Sequence, residues 1–199
     1  MLKLSLVGIL LVAGLTLRAQ VTYRLSGNNG IQIAGTSTLS DWTVASREVG
    51  GEMTFTPSKK GTATTFRPGV IRDAKATLQV SSIKSEKGET MDAKMYKALK
   101  GESHPEIIFV LTKPLQVSRS AGTISAAGNL EIAGVTRPMM FELDLTCADG
   151  NFHLEGSKNL RFSDFEIDPP TAMFGQIVTG DEISVKLDLT FVRDTNQSN

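Results

Sequence analysis

Apolar and polar residues alternate along most of the chain, and the alternation is clearest towards the C-terminus. Between residues 181 and 191, single polar residues separate five apolar ones: Ile183, Val185, Leu187, Leu189 and Phe191. A period of two predicts a β-strand with one buried face and one wet face. The same pattern recurs in residues 74–80, 141–146 and 152–154, and more loosely in 31–33, 53–55 and 124–132.

Short glycine-containing segments separate these runs. Asn29-Gly30 and Asp149-Gly150 are typical of tight hairpin turns, because both positions of such a turn need residues that tolerate positive φ. The runs and turns together indicate about eight or nine strands, most of them joined directly. The chain is therefore predicted to be all-β, an antiparallel barrel or a sandwich.

One segment departs from the period of two. From Thr90 to Lys100, Met91, Met95 and Leu99 recur at helical spacing, which predicts a short amphipathic helix. Thr90 is the expected N-cap, and Gly101 is expected to end the helix in the left-handed conformation. The methionine stripe could either pack against the core of the barrel or touch a ligand.

The first 19 residues have the layout of a secretory signal peptide. Lys3 precedes an apolar run from Leu4 to Leu17, and Ala19 stands at the expected cleavage site. We therefore expect residues 1–19 to be removed and residues 20–199 to form a single domain, periplasmic or secreted. The removed segment contains Lys3 and Arg18 and no acid, so the formal charge falls from +0 to −2. Nothing in that charge indicates a nucleic-acid partner.

The sequence offers little chemistry for catalysis. It contains no nucleophile elbow, no zinc-protease motif and no phosphate-binding glycine loop. His104 and His153 lie far apart, and their spacing with Cys147 matches no recognised metal site. Cys147 is the single cysteine, so it forms no internal disulfide; we interpret it as a small buried hydrophobe, with a reactive thiol as the alternative. No catalytic residue, metal or cofactor is predicted.

Four segments resemble one family of proteins, in the same order and with the same spacing. They are Gly35–Trp42, Met91–Phe109, Gly128–Pro138, and Phe162–Phe165 followed by Pro169–Gly175 and Thr179–Ile183. Each segment alone is weak evidence, but four in the same order are strong evidence, and the resemblance extends over roughly residues 21–192. On these residues the chain resembles the YceI-like family of exported lipid-binding proteins.

The resemblance implies a lipocalin-like antiparallel barrel of about eight strands with one short helix. Its apolar interior would hold a polyisoprenoid chain, such as the tail of an isoprenoid quinone, or a similar lipid, as a ligand and not a cofactor. We expect the ligand-binding residues to be large and apolar: Trp42, Phe55, Phe109, Phe141, Phe174, Leu187 and Phe191. A carrier or store of this kind needs no catalytic residue.

Several points stay open at this stage. Trp42 could contact the ligand or only plug the barrel end, and the segment 169–175 could be a rim or lid of the cavity or a rigid connection. The family pattern has a histidine before Asp41-Trp42, where this chain has Ser40, so a group aimed at a ligand head would be a hydroxyl. The alternative function is a non-catalytic interaction or scaffold protein whose barrel is filled by its own side chains. Stable membrane insertion is not expected, and a homodimer is left open.

We predict that the mature chain begins at or near Gln20 when an exporting host produces it, because Ala19 completes the signal-peptide pattern. N-terminal sequencing of the purified protein tests this prediction. Membrane-bound material that retains Met1 would instead identify residues 1–19 as an uncleaved anchor.

Overall fold

The structure is a computed structural model that describes residues 20–27, 29–58, 68–118 and 121–195. The predicted signal peptide, residues 1–19, lies outside these ranges. The described residues contain one α-helix, α1 (Glu89–Ala98), and thirteen strands. The strands are β1 (Val21–Leu25), β2 (Gly30–Ser37), β3 (Trp42–Ser46), β4 (Val49–Pro57), β5 (Gly69–Gln79), β6 (Lys84–Ser85), β7 (Glu106–Leu111), β8 (Leu115–Val117), β9 (Ala121–Ile132), β10 (Val135–Ala148), β11 (Asn151–Arg161), β12 (Thr171–Ala172) and β13 (Ile177–Arg193).

Eight of the strands close into an antiparallel barrel. Their order is β1-β4-β5-β7-β9-β10-β11-β13, and β13 returns to pair with β1. The predicted all-β barrel with a single short helix is confirmed. Closure leaves this ring without unpaired edges, so inward side chains face an interior shielded from water.

The strands β1 and β2 run in one direction and form one arm of a long hairpin with β3 and β4. In this hairpin β1 pairs with β4, where Tyr23 lies opposite Met53, and β2 pairs with β3, where Ile33 lies opposite Val44. The hairpin turn expected at Asn29-Gly30 is therefore wrong, because this pair sits where β1 gives way to β2. The buried Asn29 amide accepts a hydrogen bond from the N–H of Thr190 at 2.9 Å and repairs the break in pairing.

The turn expected at Asp149-Gly150 is present between β10 and β11. Asp149 and Gly150 have φ values of 52° and 79°, the left-handed pair that matches the twist of two paired strands. A second turn of this kind, with φ values of 53° and 84° at Ala133 and Gly134, joins β9 to β10.

The helix α1 lies where predicted, but its ends differ. Thr90 is inside the first turn, and the N-cap is Gly88 with φ 88°. At the C-terminus Lys100, not Gly101, adopts the left-handed conformation, with φ 53°. The N–H of Gly101 bonds to the carbonyl of Tyr96 at 2.8 Å, which completes a Schellman motif. Gly101 is suited to this position by its size, since a Cβ there would lie 3.0 Å from Val80.

One end of the barrel is filled by three aromatic rings, which we call the aromatic plug. The rings of Tyr23, Phe55 and Phe152 meet edge to face. The centroid of the Phe152 ring lies 4.7 Å from that of Tyr23 and 5.1 Å from that of Phe55. Phe152 is 0 % exposed. Edge-to-face packing stabilises aromatic pairs beyond the burial of their area. The plug therefore closes the end of the barrel opposite the helix.

We expect Phe152→Ala to destabilise the protein by about 3–5 kcal/mol, because it removes a fully packed ring. The control is Phe174→Ala, since Phe174 is exposed and its loss should change the free energy of unfolding by less than about 0.5 kcal/mol. Denaturant unfolding of both variants measures the difference. Equal effects would contradict the packing of the plug.

Candidate ligand-binding site

A cavity of about 170 Å³ occupies the middle of the barrel. Its wall is almost wholly aliphatic and aromatic and is built from inward positions of the barrel strands. The large residues of the wall include Ile33, Met53, Ile71, Leu78, Ile107, Phe109, Leu111, Leu130, Ile132, Phe141, Leu143, Leu154, Leu160, Leu187, Leu189 and Phe191. Apolar cavities of about 150 Å³ remain dry and bind small aromatic molecules, so this space suits an apolar ligand.

Small residues at inward positions account for the empty space. Ala76 on β5 pairs with Phe109 on β7, and Ala126 on β9 pairs with Phe141 on β10. Both alanines line the cavity, while the two rings meet edge to face with centroids 5.3 Å apart. A larger side chain at either alanine would fill the gap between these rings and the opposite wall.

A second cavity, of about 110 Å³, lies between the barrel end and α1. It shares the wall residues Ile33, Ile107 and Ile132 with the first, so the two spaces adjoin along the barrel axis. The helix contributes Met91, Met95 and Leu99 to this wall. The methionine stripe thus faces a cavity and does not serve packing alone.

Trp42 stands at the barrel end beside the second cavity. Its indole N–H donates a hydrogen bond to the carbonyl of Thr36 at 3.0 Å, and its ring stacks on Phe162 with centroids 6.5 Å apart. The ring lies over Gly35, where a Cβ would collide with it. Trp42 therefore fills the barrel end and also lines the cavity. This position fits the role of plugging that barrel end, and contact with a ligand stays a prediction.

The two cavities differ in the polar residues at their walls, and those of the first are Lys75 and Thr77 on β5. Ser85, Arg161 and Thr179 line the second cavity. The guanidinium of Arg161 pairs with Glu182 at 3.0 Å, and the hydroxyl of Thr179 donates to the carbonyl of Pro170 at 2.7 Å. The two adjoining cavities therefore lie in line, and the second has Ser85, Arg161 and Thr179 in an otherwise mainly apolar wall.

A hydrogen-bonded carboxylate holds the segment next to these polar groups. Asp181 accepts hydrogen bonds from the hydroxyl of Ser163 at 2.6 Å and from its backbone N–H at 2.8 Å. These bonds lower the pKa of Asp181 below its ordinary value. The charged carboxylate ties the short helix Ser163–Phe165 to β13, and so positions Phe162 and Phe165 in the cavity wall.

Comparison with known sequences identifies the family. A family model described as the YceI-like domain matches residues 9–191. The chain belongs to the YceI-like family. The search of curated proteins finds no match to this chain.

Solved structures of other proteins share the fold. The Burkholderia cenocepacia protein BcnA is 14 % identical, with a TM-score of 0.62 over 81 % of this chain and 95 % of that one. A polyisoprenoid-binding domain from Saccharophagus degradans, implicated in plant cell wall breakdown, is 10 % identical, with a TM-score of 0.63 over 87 % of this chain and 99 % of that one. At these identities the likeness establishes the fold alone.

Within this YceI-like barrel, five of the seven residues expected to bind ligand lie on a cavity wall. Phe109, Phe141, Leu187 and Phe191 line the first cavity, and Trp42 lines the second. Their contact with a ligand stays a prediction. The residues at the junction of the cavities, Ile33 and Ile107 among them, were missed, although they share the inward phase of their strands.

Two of the expected residues, Phe55 and Phe174, lie away from the cavity walls, and their contact with a ligand stays a prediction. Phe55 points inward, but it belongs to the aromatic plug and is not among the residues that line either cavity. Phe174 is fully exposed, because the loop after β12 turns it away from the barrel. The same loop does reach the site through Pro170, which lines the second cavity. The segment 169–175 is thus part of the rim.

Ser40, where the resemblance led us to expect a histidine, is exposed in the turn between β2 and β3. Its carbonyl accepts hydrogen bonds from the N–H and hydroxyl of Ser37, and its hydroxyl lies 3.4 Å from the Lys87 ammonium. Ser40 is absent from the described walls of both cavities. The structure therefore gives its hydroxyl no place at a ligand head.

The described residues include one cluster with metal-ligand chemistry, on the outer face of the barrel. Ligand atoms of His153, Glu155 and Asp188 lie within 4.8 Å of one another. The imidazole of His153 lies 3.3 Å from Glu155 and 3.0 Å from the hydroxyl of Thr190, so it has partners within the sheet. These residues occupy outward positions of β11 and β13, so the wall of the barrel separates the cluster from the cavities. The expectation of no metal stays a prediction.

Cys147 is half-buried near the end of β10, and burial raises the pKa of its thiol to about 11. Because thiolate is the reactive form, we expect native Cys147 to be alkylated at pH 8 about tenfold or more slowly than in the unfolded chain. The native rate should keep rising towards pH 11. Iodoacetamide labelling followed by mass spectrometry measures both rates. Equally fast labelling of native protein would favour the reactive thiol instead.

Proposed function

We propose that this YceI-like protein is an exported, non-catalytic carrier or store that holds a long apolar ligand of isoprenoid type inside its barrel. The observation that carries the proposal is the pair of adjoining apolar cavities, which share Ile33, Ile107 and Ile132. A barrel filled by its own side chains, as the scaffold alternative requires, would lack such space. Export rests on the signal-peptide pattern of residues 1–19.

Burial alone can supply the affinity. Each buried methylene-sized group contributes at most about 0.8 kcal/mol, so ten of them contribute up to about 8 kcal/mol before ordering costs. The shape of the site suits a chain better than a compact molecule. From Phe152 to Phe162 the chain extends about 33 Å along the strand at about 3.3 Å per residue. With the usual strand tilt of about 40°, this corresponds to about 25 Å along the barrel axis.

A long ligand requires the two cavities to open into each other. Met91 and Met95 lie at the wall of the second cavity, and their unbranched side chains can change rotamer at little cost. The isoleucines shared by the two cavities form the junction, so movement there would join the spaces. We propose that the ligand tail occupies the first cavity and extends into the second.

The distribution of polar groups gives the ligand an orientation. The aromatic plug closes one end, whereas Ser85, Arg161 and Thr179 line the wall at the other. A carbonyl or hydroxyl head would leave its hydrogen-bonding groups unpaired at the plug, which is unfavourable in an apolar site. We propose that the head lies at the helix end and the tail points towards the plug.

The family membership and the fold support an apolar ligand. The Saccharophagus degradans domain that shares the fold is described as polyisoprenoid-binding. In the described residues, no helix is long and apolar enough to cross a membrane. The identity of the ligand is the part of the proposal that experiment has to supply.

Extraction of the purified protein with organic solvent, followed by mass spectrometry, tests the proposal. We expect a long-chain lipid in near-stoichiometric amount from the wild type and a loss of it from Ala126→Leu. That variant places a larger side chain in the first cavity opposite Phe141. Because it fills space, its stability should be unchanged or raised.

The matched control is Ala127→Leu, which adds the same atoms one position along β9 on the outward face. It should retain the lipid. Wild-type protein that yields no lipid, and that also fails to bind an apolar fluorescent probe, would contradict the carrier and favour the scaffold. Equal loss from both variants would show that the cavity is not the binding site.

A further inference from the structure

Large apolar side chains are exposed together at the helix end of the barrel. Phe174 is 110 % exposed, Leu39 71 %, Met173 64 % and Val178 43 %. Among the described residues only Val110 and Met140 are comparably exposed, and both lie on the outer wall. Of the other four, Leu39 lies in the loop between β2 and β3, Met173 and Phe174 lie in the loop between β12 and β13, and Val178 follows that loop as the second residue of β13. We call Leu39, Met173, Phe174 and Val178 the tip patch.

Hydrogen bonds hold the two loops against each other. The N–H of Thr38 donates to the carbonyl of Val178 at 3.0 Å, and the N–H of Val178 donates to the Thr38 hydroxyl at 3.1 Å. That hydroxyl also donates to the carbonyl of Gln176 at 3.2 Å. In the first loop the Ser37 hydroxyl accepts from the N–H of Leu39 at 3.3 Å. These hydrogen bonds hold the residues of the tip patch close to one another.

The backbone of the second loop presents its side chains outwards at a cost. Met173 and Phe174 have φ values of 51° and 54°, in the left-handed region that bulky residues disfavour. Neither side chain is buried in return. The folded chain gains no burial from this arrangement, so contact with something outside the chain is the interaction it serves.

The tip patch lies directly beside the mouth of the second cavity. Pro170 and Thr179 flank the Met173–Gly175 segment on either side, and both line that cavity. Their mutual hydrogen bond, 2.7 Å long, draws the base of the loop together. Any surface that covers the tip patch is therefore brought close to the polar end of the proposed ligand site.

The size and shape of the patch favour a bilayer over a protein partner. A stable protein interface takes about 20–30 residues from each side, whereas the tip patch offers four side chains. Apolar tips of this kind can enter the boundary between lipid heads and acyl chains. The ammonium of exposed Lys87 lies 3.4 Å from the hydroxyl of Ser40, next to Leu39 in the turn between β2 and β3. The next residue of that turn is Asp41, so one cation is accompanied by one anion. Apolar burial rather than charge would then dominate the affinity.

We propose that the tip patch docks the protein reversibly on a lipid bilayer, with the mouth of the second cavity facing the membrane. The docked orientation would let an apolar chain pass between bilayer and barrel without crossing water. This purpose rests on the proposed function, but docking itself does not require an occupied cavity.

The experiment is flotation with vesicles of phosphatidylethanolamine and phosphatidylglycerol. We expect wild-type protein to float with the vesicles, and the triple variant Leu39→Ser, Met173→Ser, Phe174→Ser to bind about tenfold or more weakly. The matched control is Met140→Ser, which removes an apolar side chain, 53 % exposed, from the outer wall. It should bind as the wild type does.

Three outcomes would overturn the proposal: no flotation of the wild type, no loss in the triple variant, or an equal loss in Met140→Ser. Sedimentation without lipid adds a fourth, because a wild-type dimer that the triple variant dissociates would make the patch a subunit interface. If the triple variant fails to fold, Phe174→Ser alone must show the same direction of change. Binding of an apolar fluorescent probe reports on the cavity and not on docking. The triple variant should bind the probe as the wild type does, so a loss of flotation with unchanged probe binding is specific to the tip patch.

Discussion

Closure of the barrel depends on the pairing of a single long strand. The seventeen residues of β13 pair with β11 along one edge, and with β2 and then β1 along the other. Because these backbone bonds are shielded inside a closed ring, no edge remains exposed where the barrel meets itself. The same strand carries Thr179 at the rim, Leu187 at the wall and Phe191 near the plug. The pairing that closes the fold therefore also fixes the depth of each group within the site.

The two ends of the barrel differ in chemistry, and this difference gives the site a direction. At the plug, burial raises the pKa of Tyr23 above its ordinary value, because an apolar setting disfavours the charged phenolate. At the helix end the buried carboxylate of Asp92 accepts a hydrogen bond from the N–H of Ser85 at 2.8 Å and lies 3.7 Å from the Lys84 ammonium. A buried carboxylate with two polar partners therefore lies where α1 meets β6. A ligand with one polar end would experience two unequal ends of the barrel.

Alternation in the sequence was enough to predict the strands and the inward phase of most of their residues. The regular alternation of β10 and β13 placed Phe141, Leu187 and Phe191 correctly on the inner wall. Phe55 has the right phase too, but its depth is set by the register between β1 and β4, which a period of two does not encode. Asn29-Gly30 has the composition of a hairpin turn, yet tertiary pairing with β13 overrides that local preference. The exposed position of Phe174 arises from backbone angles in a loop, for which the sequence carries no periodic signal.

The hollow interior is the feature that alternation could least reveal, and it ties stability to occupancy. Protein interiors are close-packed, and an unfilled cavity costs about 24 cal/mol per Å³. By that measure the first cavity, at about 170 Å³, costs about 4 kcal/mol relative to a filled one. Leucine at Ala126 would remove much of this cost with a single substitution, so the empty space is not forced by the fold. A ligand in the cavity would return the lost contacts and raise the stability of the barrel in proportion to its affinity and concentration. Ala126 leaves a cavity that lowers the stability of the empty barrel, and this cost fits a cavity that serves binding.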